Sequence, residues 1–419
     1  MFTARRYALV CLIGACFGLL GLASLGRPVR AVAAVQNPEL AAIPVNTALD
    51  LGGYDCDQPT DAPDHCRGIT DYSGFVYDSQ RHQFVMFGGG HATTFRDDLS
   101  VFDFGTLEWS SAYPSTLCSD MTLANMDKTR NRWATTGNPF ARHTYDMTVY
   151  APNTEEFIML LGPVGTGYCA PTIDPSTGSD PFYLAARLSA YNLSSGAWLT
   201  EERMMPWNFL SAAEYDPVSG KIIILGTYGL WVFDPATRAM TQALDQFPNP
   251  LGSNLGYANN LTYYPPTGRM YYIARGDPTL VFEVTLDRAN WAGSSVVQLP
   301  TPGNAPSSQE SGWVYDSVSQ VIGGGVRDGQ FHAYDPATNT WVSKAMLIQS
   351  SAGQTTIGAQ AFHAIGFDPV DGVFVFITDY ASGSRVWAYR FGGPVPTPAP
   401  PPTFAPWQTL RLQLPSLRR

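Results

Sequence analysis

Short apolar runs alternate along the chain with polar clusters, at a spacing that suits strands rather than helices. An aromatic residue followed by Asp or Pro, a polar turn and a second apolar run recurs at Tyr77 (YDSQRHQFVMFGG), Tyr150 (YAPNTEEFIMLLG), Tyr215 (YDPVSGKIIILG), Tyr264 (YPPTGRMYYIA), Tyr315 (YDSVSQVIGGG) and Phe367 (FDPVDGVFVFI). Each reads as two strands about a tight turn, because Pro, Asp, Ser and Gly interrupt two runs rich in β-branched and aromatic residues. A second element follows each hairpin: SVFDFGTLEW, SAYNLSSGAW, WVFDPATRAM, LVFEVTLDRANW, HAYDPATNTW and WAYRF. In four of these an aromatic precedes Trp or Met by seven residues: Phe102 and Trp109, Tyr191 and Trp198, Phe233 and Met240, Tyr334 and Trp341. The chain is an array of one repeated unit with loops of uneven length.

Hairpin, glycines, then aromatic and Trp is the pattern of the Kelch repeat. From Tyr72 to Phe391 the sequence resembles secreted Kelch-type β-propellers, such as the central domain of galactose oxidase-like proteins. The diglycine is intact in the first and fifth units, single in the second and third, and absent from the fourth and sixth. The resemblance implies an all-β, six-bladed propeller, with a seventh, degenerate blade within Ser110 to Phe140 as the alternative. The sixth unit ends at Phe391 without a fourth strand, and AAIPVNTALDL near the N-terminus has no hairpin of its own. The segment from Pro44 to Leu51 is therefore expected to pair outside Val386 to Phe391 and close the ring, which covers an exposed edge.

Composition agrees with a turn-rich β protein: the 419 residues are 45% hydrophobic and only 14% charged, with 39 Gly and 33 Pro. A net charge of -10 leaves no basic field for nucleic acid or anionic lipid. The basic start and long apolar run of residues 1–34 read as a signal peptide cleaved between Ala31 and Val35, which implies a secreted or extracytoplasmic protein. Membrane attachment would require the run to stay uncleaved or Cys16 to be lipidated. The propeller is expected over residues 40–393 and a Pro-rich linker with a disordered tail over 394–419. Once the signal is removed Cys56, Cys66, Cys118 and Cys169 remain, an even number that favours two disulfides in an exported chain. Topology suggests Cys56 with Cys66 and Cys118 with Cys169, one of three pairings. There is no CxxC, and neither metal nor cofactor is expected.

In a propeller the loops joining strand 2 to strand 3, and strand 4 to the next blade, share one face, here called the loop end. His91 follows strand 2 of blade 1, and ARHTY leads into blade 2, so His91 should meet Arg142, His143 and Tyr145. Strand alternation puts His143 and Tyr145 on one side and Arg142 on the other. Arg96, Tyr228, Arg275 and Arg327 come to the same end from other 2–3 loops, and Asn259 and His363 from lead-ins to inner strands. The glycines before His91 need only a close backbone approach, and plain solvation of a channel mouth would account for much of the polar lining.

Two functions fit this face. One is a monomeric binding propeller for a polysaccharide or cell-surface glycan, with aromatic platforms and paired hydrogen-bonding groups. The alternative is a polysaccharide lyase. Some secreted propeller lyases acting on uronate polymers use His, Tyr and Arg on this face, and His91, Arg142, His143 and Tyr145 look similar. That chemistry needs a cation for the uronate carboxylate, a base for the C5 proton and an acid for the leaving oxygen.

Overall fold

The computed structural model describes residues 34–54, 72–88, 97–127, 129–161, 187–207, 210–247, 256, 258–378 and 384–393. Five four-stranded antiparallel sheets and one five-stranded sheet form six blades about a channel lined by their inner strands. The inner strands are Phe75–Asp78, Thr148–Ala151, Ser211–Asp216, Asn260–Tyr264, Trp313–Asp316 and Gln360–Asp368. Each ends at or beside the aromatic residue that marks its repeat. The long connection after blade 1 contributes, among the described residues, only a two-stranded ribbon of Met126–Asp127 and Arg132–Trp133, so it is not a seventh blade.

One turn is reused around the ring. Between the first and second strands an N–H donates to the carbonyl four residues earlier: His82 to Asp78, Gly220 to Asp216, Gly268 to Tyr264, Gln320 to Asp316 and Gly372 to Asp368, at 2.8 to 3.0 Å. The donor residue is left-handed each time, with φ of 55, 70, 68, 57 and 67°, and Glu155 repeats this in blade 2 at 56°. Glycine takes that region without a Cβ penalty. The Asp side chain supports the turn as well, accepting the backbone N–H two residues on at Gln80, Val218, Val318 and Val370.

The seven-residue spacing also has a geometric cause. Phe102 and Trp109, Tyr191 and Trp198, Phe233 and Met240, and Tyr334 and Trp341 are direct cross-strand partners on strands 3 and 4. Five residues after each aromatic the turn again enters the left-handed region, at Leu107, Gly196, Arg238 and Asn339. The turn fixes the register and the register stacks the rings, at 5.1, 5.1 and 5.2 Å in the three aromatic–Trp pairs.

The ring closes as expected, with the strand shifted two to three residues along the chain. Thr47–Gly53 pairs antiparallel with Arg385–Arg390, from Thr47 opposite Arg390 to Gly53 opposite Arg385. A fifth strand that the sequence did not suggest, Leu347–Gln349, adds in parallel outside it. Asp50, 1% exposed at its side chain, takes Nη2 of Arg385 at 2.6 Å and the Ser350 hydroxyl at 2.5 Å. The buried Arg390 donates to the carbonyls of Leu40, Ile43 and Asp371, which ties the N-terminal segment to the last blade. Blades 6 and 1 then approach so closely that a Cβ on Gly366 would lie 2.2 Å from the Phe84 ring.

Asp50→Ala should strand Arg385 at this joint and lower stability by about 3 kcal/mol, the cost of halving a largely buried ion pair. Urea unfolding reads it as a shift of the midpoint; an unchanged midpoint would show that the clasp adds nothing to closure.

Candidate functional site

At the loop end, Tyr72, Tyr145 and Phe362 each stand three residues before inner-strand pairing begins or resumes, with φ of 61, 47 and 46°. Bulky residues seldom adopt this conformation. Their rings meet, with Tyr72 4.2 Å from Phe362 and 5.1 Å from Tyr145. His143 joins them, its ring 4.7 Å from Tyr72 and its Nδ1 3.4 Å from Tyr145 Oη. Tyr145 lies 6.3 Å from the His363 ring, and His363 Nε2 is 3.2 Å from the Asn259 carbonyl. Four blades therefore converge here. Tyr72 and Phe362 are half-buried, whereas His143, Tyr145, Asn259 and His363 are buried.

Backbone contacts explain why the group is held so closely. The N–H groups of Thr144 and Tyr145 both donate to the Tyr72 carbonyl, and the Gly74 N–H donates to Thr144 Oγ1. A Cβ on Gly74 would fall 2.5 Å from the Tyr145 carbonyl oxygen, so glycine is required there. Burial pushes His363 down to about 4, which keeps it neutral with Nε2–H donating to Asn259. Its Nδ1 is buried and has no hydrogen-bond partner among the described residues. Asn259 in turn accepts the Arg275 backbone N–H at 2.9 Å, which holds Arg275 in a left-handed conformation beside the cluster. Arg275 is half-buried, and no ion pair involves it among the described residues.

The other expected residues separate. Arg142 is fully buried and donates to the carbonyls of Phe140, Leu161 and Arg187, with Phe87 6.0 Å from its guanidinium carbon. Burial lowers it to about 9, so it keeps its charge at neutral pH while fastening blade 2. His143 and Tyr145 share a side without it, as alternation requires. Tyr228 is exposed, and Arg327 is exposed beside Asp328. Asp97 and Asp98 are fully buried and secure the connection after blade 1. Asp97 accepts from Thr116 N–H and Oγ1, and Asp98 from Ser100 and Ser115. His91, Arg96, Cys56, Cys66 and Cys169 lie outside the described residues; Cys118 is buried.

Deeper in the channel lies a cavity of about 340 Å³ that reaches the end where strands 1 and 2 turn, and two acids unnoticed in the sequence border it. Asp146 of blade 2 accepts Asn260 Nδ2 and the Leu261 N–H of blade 4, while its carbonyl accepts from Ala213 of blade 3. Glu214 accepts the N–H groups of Tyr215 and Tyr263. Burial raises Asp146 well above the carboxylate range and Glu214 to about 7. For Glu214 the available signal was an acid within the inner strand Ser211–Asp216; Asp146 lies just before its strand and carried no such signal. Asn260, part of an Asn-Leu-Thr glycosylation motif, is buried in this contact and cannot carry a glycan in the folded chain.

No protein-family model matches the chain, and no curated protein matches it. Among solved structures, an oligogalacturonate lyase in complex with manganese is similar over 76% of this chain and 76% of its own, at 13% identity and a TM-score of 0.39. An oligogalacturonate lyase from Vibrio parahaemolyticus covers 75% of this chain and 76% of its own, at 10% identity and 0.37. An auxiliary nutrient binding protein from Bacteroides thetaiotaomicron covers 77% and 69%, at 10% identity and 0.43. Likeness at these levels concerns the path of the chain and not its chemistry.

The depressed His363 carries a pH prediction. Its folded value of about 4 lies below the ordinary 6.5, so its contribution is complete above pH 6.5 and is lost as pH falls from 6.5 to 4. The loss amounts to something on the order of 3 kcal/mol. His363→Gln should therefore flatten the fall of melting temperature across that window relative to wild type, whereas parallel curves would mean that His363 charges freely in the folded state.

Proposed function

We propose that this chain is an exported propeller, built of Kelch-type repeats, that binds a polysaccharide or cell-surface glycan at the loop end of its channel. The observation that carries this reading is the contact among three left-handed aromatics, Tyr72, Tyr145 and Phe362, drawn from three blades. Strained backbone persists where the surroundings over-determine it, and such positions cluster at ligand sites. The half-buried rings of Tyr72 and Phe362 supply an apolar platform, and Arg275, anchored through its backbone to Asn259, is the cation proposed to meet a sugar carboxylate there. The leader-like N-terminus supports export. So does the even number of cysteines left after the leader, with Cys118–Cys169 and Cys56–Cys66 as the proposed disulfides.

A second reading, uronate lyase, is favoured by the 3.4 Å approach of His143 Nδ1 to Tyr145 Oη. In β-elimination a base removes the C5 proton, its electron pair forms the C4–C5 double bond, and the C4–O bond breaks as an acid protonates the leaving oxygen. His143 and Tyr145 are the base and acid of this proposal. Arg142 is committed to backbone carbonyls, so the carboxylate falls to Arg275 or Arg96.

Purified protein screened against uronate and neutral polysaccharides should bind at least one uronate polymer, and Arg275→Ala should weaken that binding about tenfold, or roughly 1.4 kcal/mol, with little change in melting temperature. Ultraviolet absorbance from an unsaturated product that survives in wild type and disappears in Tyr145→Phe would favour the lyase. Binding unaffected by Arg275→Ala or Phe362→Ala would move the ligand away from this end.

A further inference from the structure

At the opposite end of the ring, where blade 6 meets blade 1, the turn residue His82 faces two carboxylates from the matching turn of blade 6. His82 Nε2 lies 3.0 Å from Asp368 Oδ2 and 3.7 Å from Asp371 Oδ2, and one ligand atom from each of the three falls within 4.8 Å of the others. The carboxylate side chains are 0% exposed and the imidazole 9%. We propose that His82, Asp368 and Asp371 form a binding site for a divalent cation of the zinc type, one that fastens the closing joint of the propeller.

The separations fit coordination. Zinc bonds to imidazole nitrogen and carboxylate oxygen run about 2.0–2.2 Å, so two ligands are about 3.0 Å apart at a right angle and about 3.4 Å apart at a tetrahedral angle. The observed 3.0 and 3.7 Å bracket those values, and a small movement seats an ion. One nitrogen and two carboxylate oxygens suit zinc better than magnesium, which prefers oxygen and water. The outer contacts orient the ligands: Tyr77 Oη donates to Asp368 Oδ1, Asn37 N–H donates to Asp371 Oδ1, and the His82 ring stacks on Phe104 at 4.9 Å.

Asp371 Oδ2 is buried, points into this group, and has no hydrogen-bond partner among the described residues. A dication with a neutral ring would balance the two carboxylates and give Asp371 Oδ2 a partner. Arg390 donates to carbonyls, that of Asp371 among them, and its charge acts on Asp371 without bonding the carboxylate, while Asp103 adds negative field at His82. A histidine here is also a departure from the repeat, because the equivalent left-handed positions hold Gly220, Gly268, Gly372, Glu155 and Gln320.

The test is calorimetric titration of the full-length, chelator-treated chain with ZnCl2, with MgCl2 in parallel, alongside thermal melts. Wild type should take up one equivalent of zinc at this site and gain several degrees of melting temperature. His82→Gln places at this turn the residue that blade 5 carries at Gln320, and Asp371→Asn keeps the acceptor for Asn37. Both should fold, bind zinc at least about tenfold more weakly, and lose the thermal gain. No uptake by wild type, or equal uptake by wild type and both variants, would overturn the site and leave an ion-pair clasp in its place.

Discussion

Everything in this molecule rests on the pairing of its first strand with its last. Six blades packed side by side leave two free faces unless the ring shuts, and a sheet edge left open invites pairing with other chains. Thr47–Gly53 covers the edge of Arg385–Arg390, Asp50 holds Arg385, and Arg390 gathers carbonyls from both sides of the joint. The tight fit of Gly366 on Phe84, the clustering of blades 1, 2, 4 and 6 at the loop end, and the meeting of His82 with Asp368 all presuppose that closure.

Within the ring, regularity comes from turns more than from side-chain identity. The left-handed residue recurs at one place in the inner hairpins and at another in the outer ones, and it tolerates Leu107, Arg238 and Asn339 where glycine would be easier. Each costs roughly 1 kcal/mol of backbone preference, which the packed rings and ladders around it offset. The eroded diglycine pattern and the preserved hairpins follow from this: a turn needs a conformation, and several residue types can be forced into it.

Features governed by neighbours in sequence were legible. The inner hairpins, the seven-residue spacing of Tyr334 and Trp341, and the strand missing from blade 6 all announce themselves over a dozen residues or fewer. Features governed by closure were not. Arg142 and His143 look like loop polar groups and turn out buried, because the end of the channel is filled by its own lead-in segments. His82 reads as an ordinary turn residue, since its partners Asp368 and Asp371 lie 286 and more positions away. The short strand Leu347–Gln349 has no pattern of its own and exists only because the first strand offers it an edge.

The distance between the joined ends sets an order of events on the chain as it is made. Arg390 meets the Leu40 carbonyl across 350 residues, and Tyr389 meets Asn46 across 343. While the ribosome adds the middle blades, the strand at Thr47–Gly53 has emerged and has nothing to pair with. Non-local contacts of this kind slow folding and keep a partly made chain exposed. Until Arg385–Arg390 is made, the edge of Thr47–Gly53 that it covers stays open, the condition in which sheets pair with other chains. Release from that state waits on the last strand of the last blade.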